Sequence, residues 1–240
     1  MNLPEAFENQ GNWLFQRRSM LPVTILVLGL LVYLREEVHS TALLYFCIAV
    51  SLFGLFIRCF AIGYVAPNTS GRNTNVGQVA DTVNTTGIYS MVRHPLYLGN
   101  FFMWLGLAMI TENFWFIIAF ILAYMLYYER IMYAEENFMI KKFGHLYTDW
   151  AEKTPTFIPD YRLYVKPQVK FNWKKVLRQE KNGVFAVFLL FFTFDFFNRL
   201  ISVNLDPVNY VLLGLAVASG IFYLVCKILK RKGKLDDPEN

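Results

Sequence analysis

The sequence predicts an all-α, polytopic membrane protein with about six transmembrane helices and no Rossmann domain. Of its 240 residues, 55% are hydrophobic and 17% are charged. The mean hydropathy is +0.34, and the apolar residues form uncharged runs that a soluble domain of this size could not bury. No Gly-x-Gly-x-x-Gly motif follows a predicted strand, as a nucleotide-binding parallel sheet would require. These observations exclude a disordered chain and disfavour a soluble one.

Six apolar runs are the predicted membrane helices. They cover residues 20–34, 41–65, 96–110, 114–128, 184–197 and 208–226. Several hold about 15 residues, fewer than the roughly 20 that cross a hydrocarbon core, so flanking residues must complete the crossing. Residues 1–18 are polar and amphipathic, which predicts no cleavable signal peptide. The three cysteines lie in apolar stretches without a CxxC pair, so we expect buried thiols and no metal site.

Basic residues are distributed unequally between the two sides of these helices. If the N-terminus is cytoplasmic, that side receives ten basic residues in 141–181 and five in 227–234. It also receives Arg17, Arg18, Arg72 and Arg93. The opposite side keeps Arg35 and Arg199. The positive-inside rule therefore predicts cytoplasmic termini, and since residues 236–240 hold no retrieval signal, a bacterial inner membrane is favoured over the endoplasmic reticulum.

The chain divides into three predicted parts. Residues 1–65 hold an amphipathic segment and two helices, and residues 66–161 hold a cytoplasmic loop, a helical hairpin and most of the polar motifs. Residues 162–240 hold a basic stretch and two further helices. We expect the basic stretch to lie on anionic lipid headgroups, because it adjoins membrane helices. Membrane lipids are thus predicted partners and nucleic acid is not, while the oligomeric state stays open.

Three charged residues lie within or beside apolar runs. Arg58 lies inside the second run, and Glu129 and Arg130 lie near the end of the fourth. An ionisable group in a membrane is unfavourable unless it is paired or wetted, so each is a functional candidate. The alternative is that the arginines extend to the membrane interface.

Polar motifs cluster on the side predicted to be cytoplasmic. They are Thr86-Gly87-Ile88-Tyr89, the run Arg93-His94-Pro95-Leu96-Tyr97-Leu98-Gly99-Asn100, Glu135-Glu136, Gly144-His145-Leu146-Tyr147 and Phe157-Ile158-Pro159. Proline favours the first turn of a helix, which places the basic pair before it at the helix mouth. The hairpin at 111–113 returns the two glutamates to the same side. A pocket or a solvated ion-pair network would both fit this pattern.

Together these motifs resemble the isoprenylcysteine carboxyl methyltransferase and phospholipid methyltransferase superfamily. The resemblance covers about residues 58–159, and Trp150 stands where many members have a second tyrosine. It implies S-adenosyl-L-methionine-dependent methyl transfer in a helical membrane protein with a cytoplasm-facing cofactor pocket. The cofactor-binding residues expected from the matching motifs are Arg93, His94, Tyr97, Leu98, Gly99, Glu135, Glu136 and Tyr147.

The expected acceptor is lipid-like, because the site adjoins the membrane. Methyl transfer from a sulfonium requires alignment of the reactants and no covalent residue. An anionic oxygen, in a prenylcysteine-type carboxylate or a lipid phosphate, needs an orienting cation, for which Arg58 and Arg130 are the candidates. A phospholipid amine would need a base such as Glu129 or Glu136. The basic excess favours the anionic acceptor.

Two other classes remain open at this point. Membrane sterol reductases carry a similar Arg-His-Pro helix and bind NADPH, but Glu135 and Glu136 stand where a 2′-phosphate would need basic residues. A non-enzymatic membrane scaffold or transporter subunit is the second alternative. Transport sites usually lie near the bilayer midplane, whereas these motifs lie at one end of the helices.

Overall fold

A computed structural model describes residues 2–17, 20–34, 41–65, 72–74, 77–201 and 208–235. Within these ranges the α-helices are α1 (Leu3–Gln16), α2 (Met20–Tyr33), α3 (Thr41–Gly63), α4 (Pro95–Met109), α5 (Phe114–Phe143), α6 (His145–Ala151), α7 (Trp173–Ile201) and α8 (Tyr210–Arg231). Strands β1 (Arg72–Thr74) and β2 (Gly77–Val79) pair as an antiparallel hairpin. The predicted all-α fold is confirmed, and the described residues contain no Rossmann-like sheet.

Each of the six predicted apolar runs lies in a helix. Four of these helices, α3, α5, α7 and α8, are long and apolar enough to cross a membrane. Polar flanks extend α5 to 30 residues and α7 to 29, as expected for runs too short by themselves. The helices α2 and α4 stay short, with 14 and 15 residues. The chain is thus an integral membrane protein. Arg18 and Arg35, used to predict its orientation, and residues 236–240, used to predict which membrane it inhabits, lie outside the described ranges.

Helices α3 and α4 pack closely through small residues. A methyl group on Gly54 would lie 2.4 Å from the Gly99 carbonyl oxygen, and one on Gly106 would lie 2.2 Å from Ser51 Oγ. The Ser51 hydroxyl donates to the Met103 carbonyl oxygen over 2.8 Å. Small residues and interhelical hydrogen bonds are typical of helix packing in lipid. This packing holds the middle of α3 beside the first turns of α4.

Helix α1 lies along one face of α5. Gly11 has no room for a side chain there, because an added Cβ would lie 2.0 Å from the Arg130 carbonyl oxygen. Glu8 accepts hydrogen bonds from Asn137 Nδ2 over 3.4 Å and from Lys141 Nζ over 2.5 Å. The α5 residues concerned recur at helical spacing: Arg130, Ala134, Asn137 and Lys141. One full face of α5 is therefore used for this contact.

The segment after α6 crosses the start of α4. The backbone N–H of Arg93 donates to the Pro155 carbonyl oxygen over 2.9 Å, and that of Gly87 donates to the Val165 carbonyl oxygen over 2.8 Å. Gly87 has a φ of 64°, a conformation that glycine adopts without strain. These bonds fix the loop before α4 and the helix mouth itself.

The C-terminal helices complete the bundle. Helix α7 packs against α3 and α8, and Phe191 and Phe194 of α7 are buried in a core cluster with Cys47 of α3. Cys47 and Cys226 are buried and Cys59 is partly buried, all three as free thiols. The helices after residue 161 thus share the core of the protein.

Candidate functional site

A cavity of about 360 Å³ lies between α3, the first turns of α4, the second half of α5, and α6. Its size falls within the roughly 300–1,000 Å³ typical of small-molecule pockets. Six of the predicted site residues line it: Arg58, Arg93, His94, Tyr97, Glu135 and Tyr147. Helical geometry brings them together, because Tyr128 and Glu135 of α5 are seven residues apart and both face the cavity.

His94 lies between the two glutamates at the mouth of α4. Its Nε2 is 2.9 Å from Glu136 Oε1, its Nδ1 is 3.6 Å from Glu135 Oε2, and its side chain is 9% exposed. Burial lowers the pKa of His94, but Glu135 and Glu136 raise it more, so that the pKa lies above its ordinary value. The protonated imidazole is therefore favoured, and it can donate from both nitrogens.

Two further side chains at the start of α4, Arg93 and Tyr97, donate hydrogen bonds to Glu136 and Glu135. Arg93 donates from one terminal nitrogen to Glu136 over 2.7 Å, and from the other to the Thr156 hydroxyl. The Tyr97 hydroxyl donates to Glu135 Oε1 over 2.7 Å. These bonds join helix α4 to α5 around the cavity. The cluster is thus a partly buried ionic network, with its four charged side chains 9–19% exposed.

Three buried donors beside the cavity have no hydrogen-bond partner among the described residues. They are Asn84 Nδ2, Arg93 Nε and Trp150 Nε1, and all three residues line the cavity. A buried donor without a partner is unfavourable by about 1–3 kcal/mol, so such groups are rare unless a ligand or water satisfies them. Their grouping indicates that the cavity takes a ligand with several acceptor atoms.

Asn84 and Trp150 were not among the predicted site residues. Asn84 lies in the polar loop before Thr86-Gly87, and nothing in its sequence context distinguishes it from its neighbours. Trp150 carried a signal, since it replaces a tyrosine that the resembling family often has. Because an indole N–H can only donate, this replacement leaves a donor and removes an acceptor at the cavity wall.

Tyr147 of the short helix α6 is almost fully buried, with 3% of its surface exposed. Burial, together with the nearby negative charge of Glu136, raises its pKa well above the ordinary value. The hydroxyl therefore stays protonated and remains available as a donor at the cavity wall.

Arg58 lines the far side of the cavity, and its charge is paired. Its Nε donates to Glu180 Oε2 over 2.9 Å and one terminal nitrogen donates to Glu180 Oε1 over 2.5 Å. The other terminal nitrogen donates to Asn100 Oδ1 over 2.6 Å. Glu180 was not among the predicted site residues. Its one signal was that it is an isolated acidic residue in a basic stretch, four residues before an apolar run begins at Val184.

Three predicted cofactor-binding residues do not line the cavity. Leu98 is buried against Ile57 and Val92. Gly99 faces α3, where an added Cβ would lie 2.5 Å from Arg58 Cγ, so the close approach that it permits is to a helix and not to a ligand. Glu136 lies behind the cavity wall and holds Arg93 and His94 in place.

Glu129 and Arg130, both predicted to be catalytic, are not brought to the cavity. The Arg130 guanidinium lies 3.5 Å from the centroid of the Phe7 ring and 3.1 Å from Glu129, and the Glu129 side chain is 59% exposed. At 3.6 residues per turn, Arg130 is rotated by about 200° from Tyr128 on the cavity face. Helix α1 covers the face that carries Arg130, so the structure places this pair apart from the cavity.

Comparison with known proteins finds a family match for the central part of the chain. Residues 44–145 match the family model described as phospholipid methyltransferase. This stretch contains α3, α4 and α5, and with them most of the cavity wall. No solved structure matches the chain.

Curated relatives each match part of the chain. The cobalt-zinc-cadmium resistance protein CzcN of Cupriavidus metallidurans is 36% identical over 95 residues, covering 40% of this chain and 41% of that protein. The protein-S-isoprenylcysteine O-methyltransferase of Schizosaccharomyces pombe is 38% identical over 76 residues, covering 31% and 32%. The enzyme of the same name from Tribolium castaneum is 30% identical over 129 residues, covering 52% and 43%.

The matched stretches span less than half the length of these relatives. Even so, the resemblance to the isoprenylcysteine carboxyl and phospholipid methyltransferase superfamily, predicted from the motifs, is confirmed by the family model that matches residues 44–145 and by these relatives.

Proposed function

We propose that this protein is a membrane methyltransferase that transfers a methyl group from S-adenosyl-L-methionine to a lipid-like acceptor. One observation carries the proposal: within a chain similar to methyltransferases, a cavity bounded by a partly buried ionic network has three donors without partners among the described residues. An acceptor-rich small molecule would satisfy them.

The lining residues fit this cofactor chemically. Its ammonium and ribose hydroxyls suit the Glu135 carboxylate, and its carboxylate and adenine nitrogens suit the unpaired N–H groups of Asn84, Arg93 and Trp150. The aromatic rings of Tyr97 and Tyr128, whose centroids are 4.8 Å apart, suit a sulfonium cation. Leu98 and Gly99 pack against neighbouring residues outside the cavity and so keep α4 in place. When bound, the cofactor supplies an activated methyl group.

The protein's own part in the reaction is to bind, orient and exclude water. An attacking anionic oxygen needs no general base, since it has no proton to lose. It needs a cation that aligns it. Of the cations that line the cavity, Arg93 and His94 are bound to Glu136 at the start of α4, whereas Arg58 is not part of that network. We therefore assign Arg58 to the acceptor and favour a prenylcysteine-type carboxylate or a lipid phosphate.

A phospholipid amine is the second candidate acceptor, favoured by the description of the matching family. It requires a base that accepts a proton. Neither Glu129 nor Glu136 lines the cavity, and Glu135 already accepts from Tyr97, so this candidate has weaker support. For the metal resistance named in the Cupriavidus relative, the described residues hold no group of three or more His, Cys, Asp or Glu side chains that could bind a metal ion. Metal is therefore not part of the proposal.

The proposed location is a bacterial inner membrane with both termini in the cytoplasm. The distribution of basic residues supports this orientation. It would place the cavity mouth, with His94 at the start of α4, on the side where soluble nucleotide cofactors occur.

The test is transfer of a tritiated methyl group. The detergent-purified protein is incubated with methyl-labelled cofactor and a bacterial lipid extract, and the organic phase is counted and separated by base treatment. We expect base-labile label, as for a methyl ester, and its loss in Glu135→Gln but not in the matched variant Glu129→Gln. Base-stable label on nitrogen would favour the amine acceptor, base-stable label on a phosphate oxygen would favour the lipid phosphate, and no label in any lipid class would contradict the proposed activity.

A further inference from the structure

The carboxylate that pairs with Arg58 comes from outside the part of the chain that matches the family. Glu180 lies near the start of α7, 35 residues beyond the matched stretch 44–145. It is 2% exposed and does not line the cavity. It accepts two hydrogen bonds from Arg58, from Nε and from one terminal nitrogen. Such a bidentate pair fixes the plane of a guanidinium as well as its position.

Arg58 nevertheless keeps hydrogen-bonding capacity. A guanidinium carries five N–H groups; Glu180 and Asn100 accept three of them, and the other two have no partner among the described residues. Arg58 and Asn100 both line the cavity. The Glu180 carboxylate thus fixes the Arg58 guanidinium, and two of its N–H groups remain for a ligand in the cavity.

Charge balance favours an anionic oxygen as that ligand. Glu180 balances Arg58, and Glu135 and Glu136 balance Arg93 and the raised-pKa His94. A bound sulfonium would add one positive charge, which a carboxylate or phosphate oxygen would neutralise. Burying an unbalanced charge is strongly unfavourable. An anionic acceptor would bring the net charge of the occupied cavity to zero, whereas a neutral amine would leave it at plus one.

We propose that Glu180 is a positioning residue for the acceptor, which holds Arg58 so that its two free N–H groups bind the anionic oxygen of an amphiphile. The inference rests on the proposed methyl transfer. In the reaction, an oxygen lone pair forms the new C–O bond, the methyl–sulfur bond breaks, and its electron pair returns to sulfur. No proton moves. With a carboxylate the product is a neutral ester, which no longer attracts Arg58 and is therefore released.

The same helix provides a matched control. Asp195 of α7 accepts from Arg199 over 2.7 Å, and the two side chains are 8% and 22% exposed, against 3% and 22% for Glu180 and Arg58. Fifteen residues separate the two carboxylates, or about 22 Å along a helix. Asp195→Asn thus weakens a comparable ion pair far from the cavity.

The experiment measures acceptor and cofactor binding separately. The probes are N-acetyl-S-farnesylcysteine, its uncharged carboxamide, monododecyl phosphate and S-adenosylhomocysteine. In Glu180→Gln we expect KM or Kd for the two anions to rise about tenfold or more, with affinity for S-adenosylhomocysteine unchanged. The carboxamide should bind equally weakly to both proteins. Asp195→Asn should lower the thermal midpoint and leave all four affinities unchanged.

A second variant addresses folding. Replacing a buried ion pair by apolar residues is often tolerated, so Arg58→Met combined with Glu180→Met should fold and bind S-adenosylhomocysteine but not the anions. Anion binding that survives in this double variant, or no anion binding by the native protein, would overturn the inference. Native protein that does not bind S-adenosylhomocysteine would instead refute the proposed function, so the two failures are distinguishable.

Discussion

The two faces of α5 carry charged residues in very different settings. On the cavity face, Glu135 accepts from Tyr97 and lies beside the buried His94, and donors nearby have no partner. On the α1 face, Arg130 packs on Phe7 and pairs with Glu129, which is mostly exposed. Both faces carry charges next to apolar sequence, yet only the first keeps hydrogen-bonding groups for a ligand. Charge near a membrane segment thus identifies function only when the helical register is known.

The strongest test of this difference compares two glutamates on the same helix. Glu135→Gln removes a carboxylate from the cavity wall, and we expect affinity for S-adenosylhomocysteine to fall about 100-fold, because hydrogen bonds to a charged group are the strong ones. Glu129→Gln should leave it unchanged. Calorimetric titration of both variants provides the measurement. Equal affinities would show that the two faces do not differ in function.

The packing of α1 on α5 can be disrupted by a substitution that lies away from the cavity. Gly11→Ala places a methyl group 2.0 Å from the Arg130 carbonyl oxygen, and we expect it to lower stability by about 1–3 kcal/mol, as overpacking does. Gly214→Ala in α8, where an added Cβ meets nothing within 4 Å, is the control. Thermal unfolding in detergent measures the loss. If Gly11→Ala also abolished cofactor binding, α1 would belong to the site.

Removing one unpaired donor should separate binding from stability. Trp150→Phe deletes the Nε1–H that has no partner, and affinity for S-adenosylhomocysteine is expected to fall about tenfold. Because the lost donor was unsatisfied without ligand, the thermal midpoint of the ligand-free protein should not fall. A lower midpoint with unchanged affinity would assign the indole to packing alone.

The smallest expected effect is on the pH dependence of stability. The pKa of His94 is raised in the folded protein, so its stabilising contribution is fully present below the unfolded pKa of about 6.5 and is lost as pH rises through the folded pKa. Thermal midpoints measured from acid to alkaline pH should therefore fall as the pH rises above the unfolded pKa of about 6.5. The His94→Asn variant should lack this part of the slope; an identical slope would mean that His94 does not titrate as described.

Local sequence patterns predicted much of the fold and part of the site. The six apolar runs could be predicted as helices because hydropathy is read from contiguous residues. Pro95 correctly marked the first residue of α4, next to His94. The Arg58–Glu180 pair could not be predicted, since it joins residues 122 positions apart through the packing of α7 on α3. The placement of Arg130 was missed for a similar reason, because it depends on where α1 docks.

The measurement that tests the central claim most directly is calorimetric titration of the purified native protein with S-adenosylhomocysteine, with NADPH titrated in parallel. We predict saturable one-site binding of S-adenosylhomocysteine, weakened by Glu135→Gln and by Trp150→Phe, and no binding of NADPH. Binding of NADPH without binding of S-adenosylhomocysteine would contradict the account, since the cavity beside His94 would then hold a reductase cofactor.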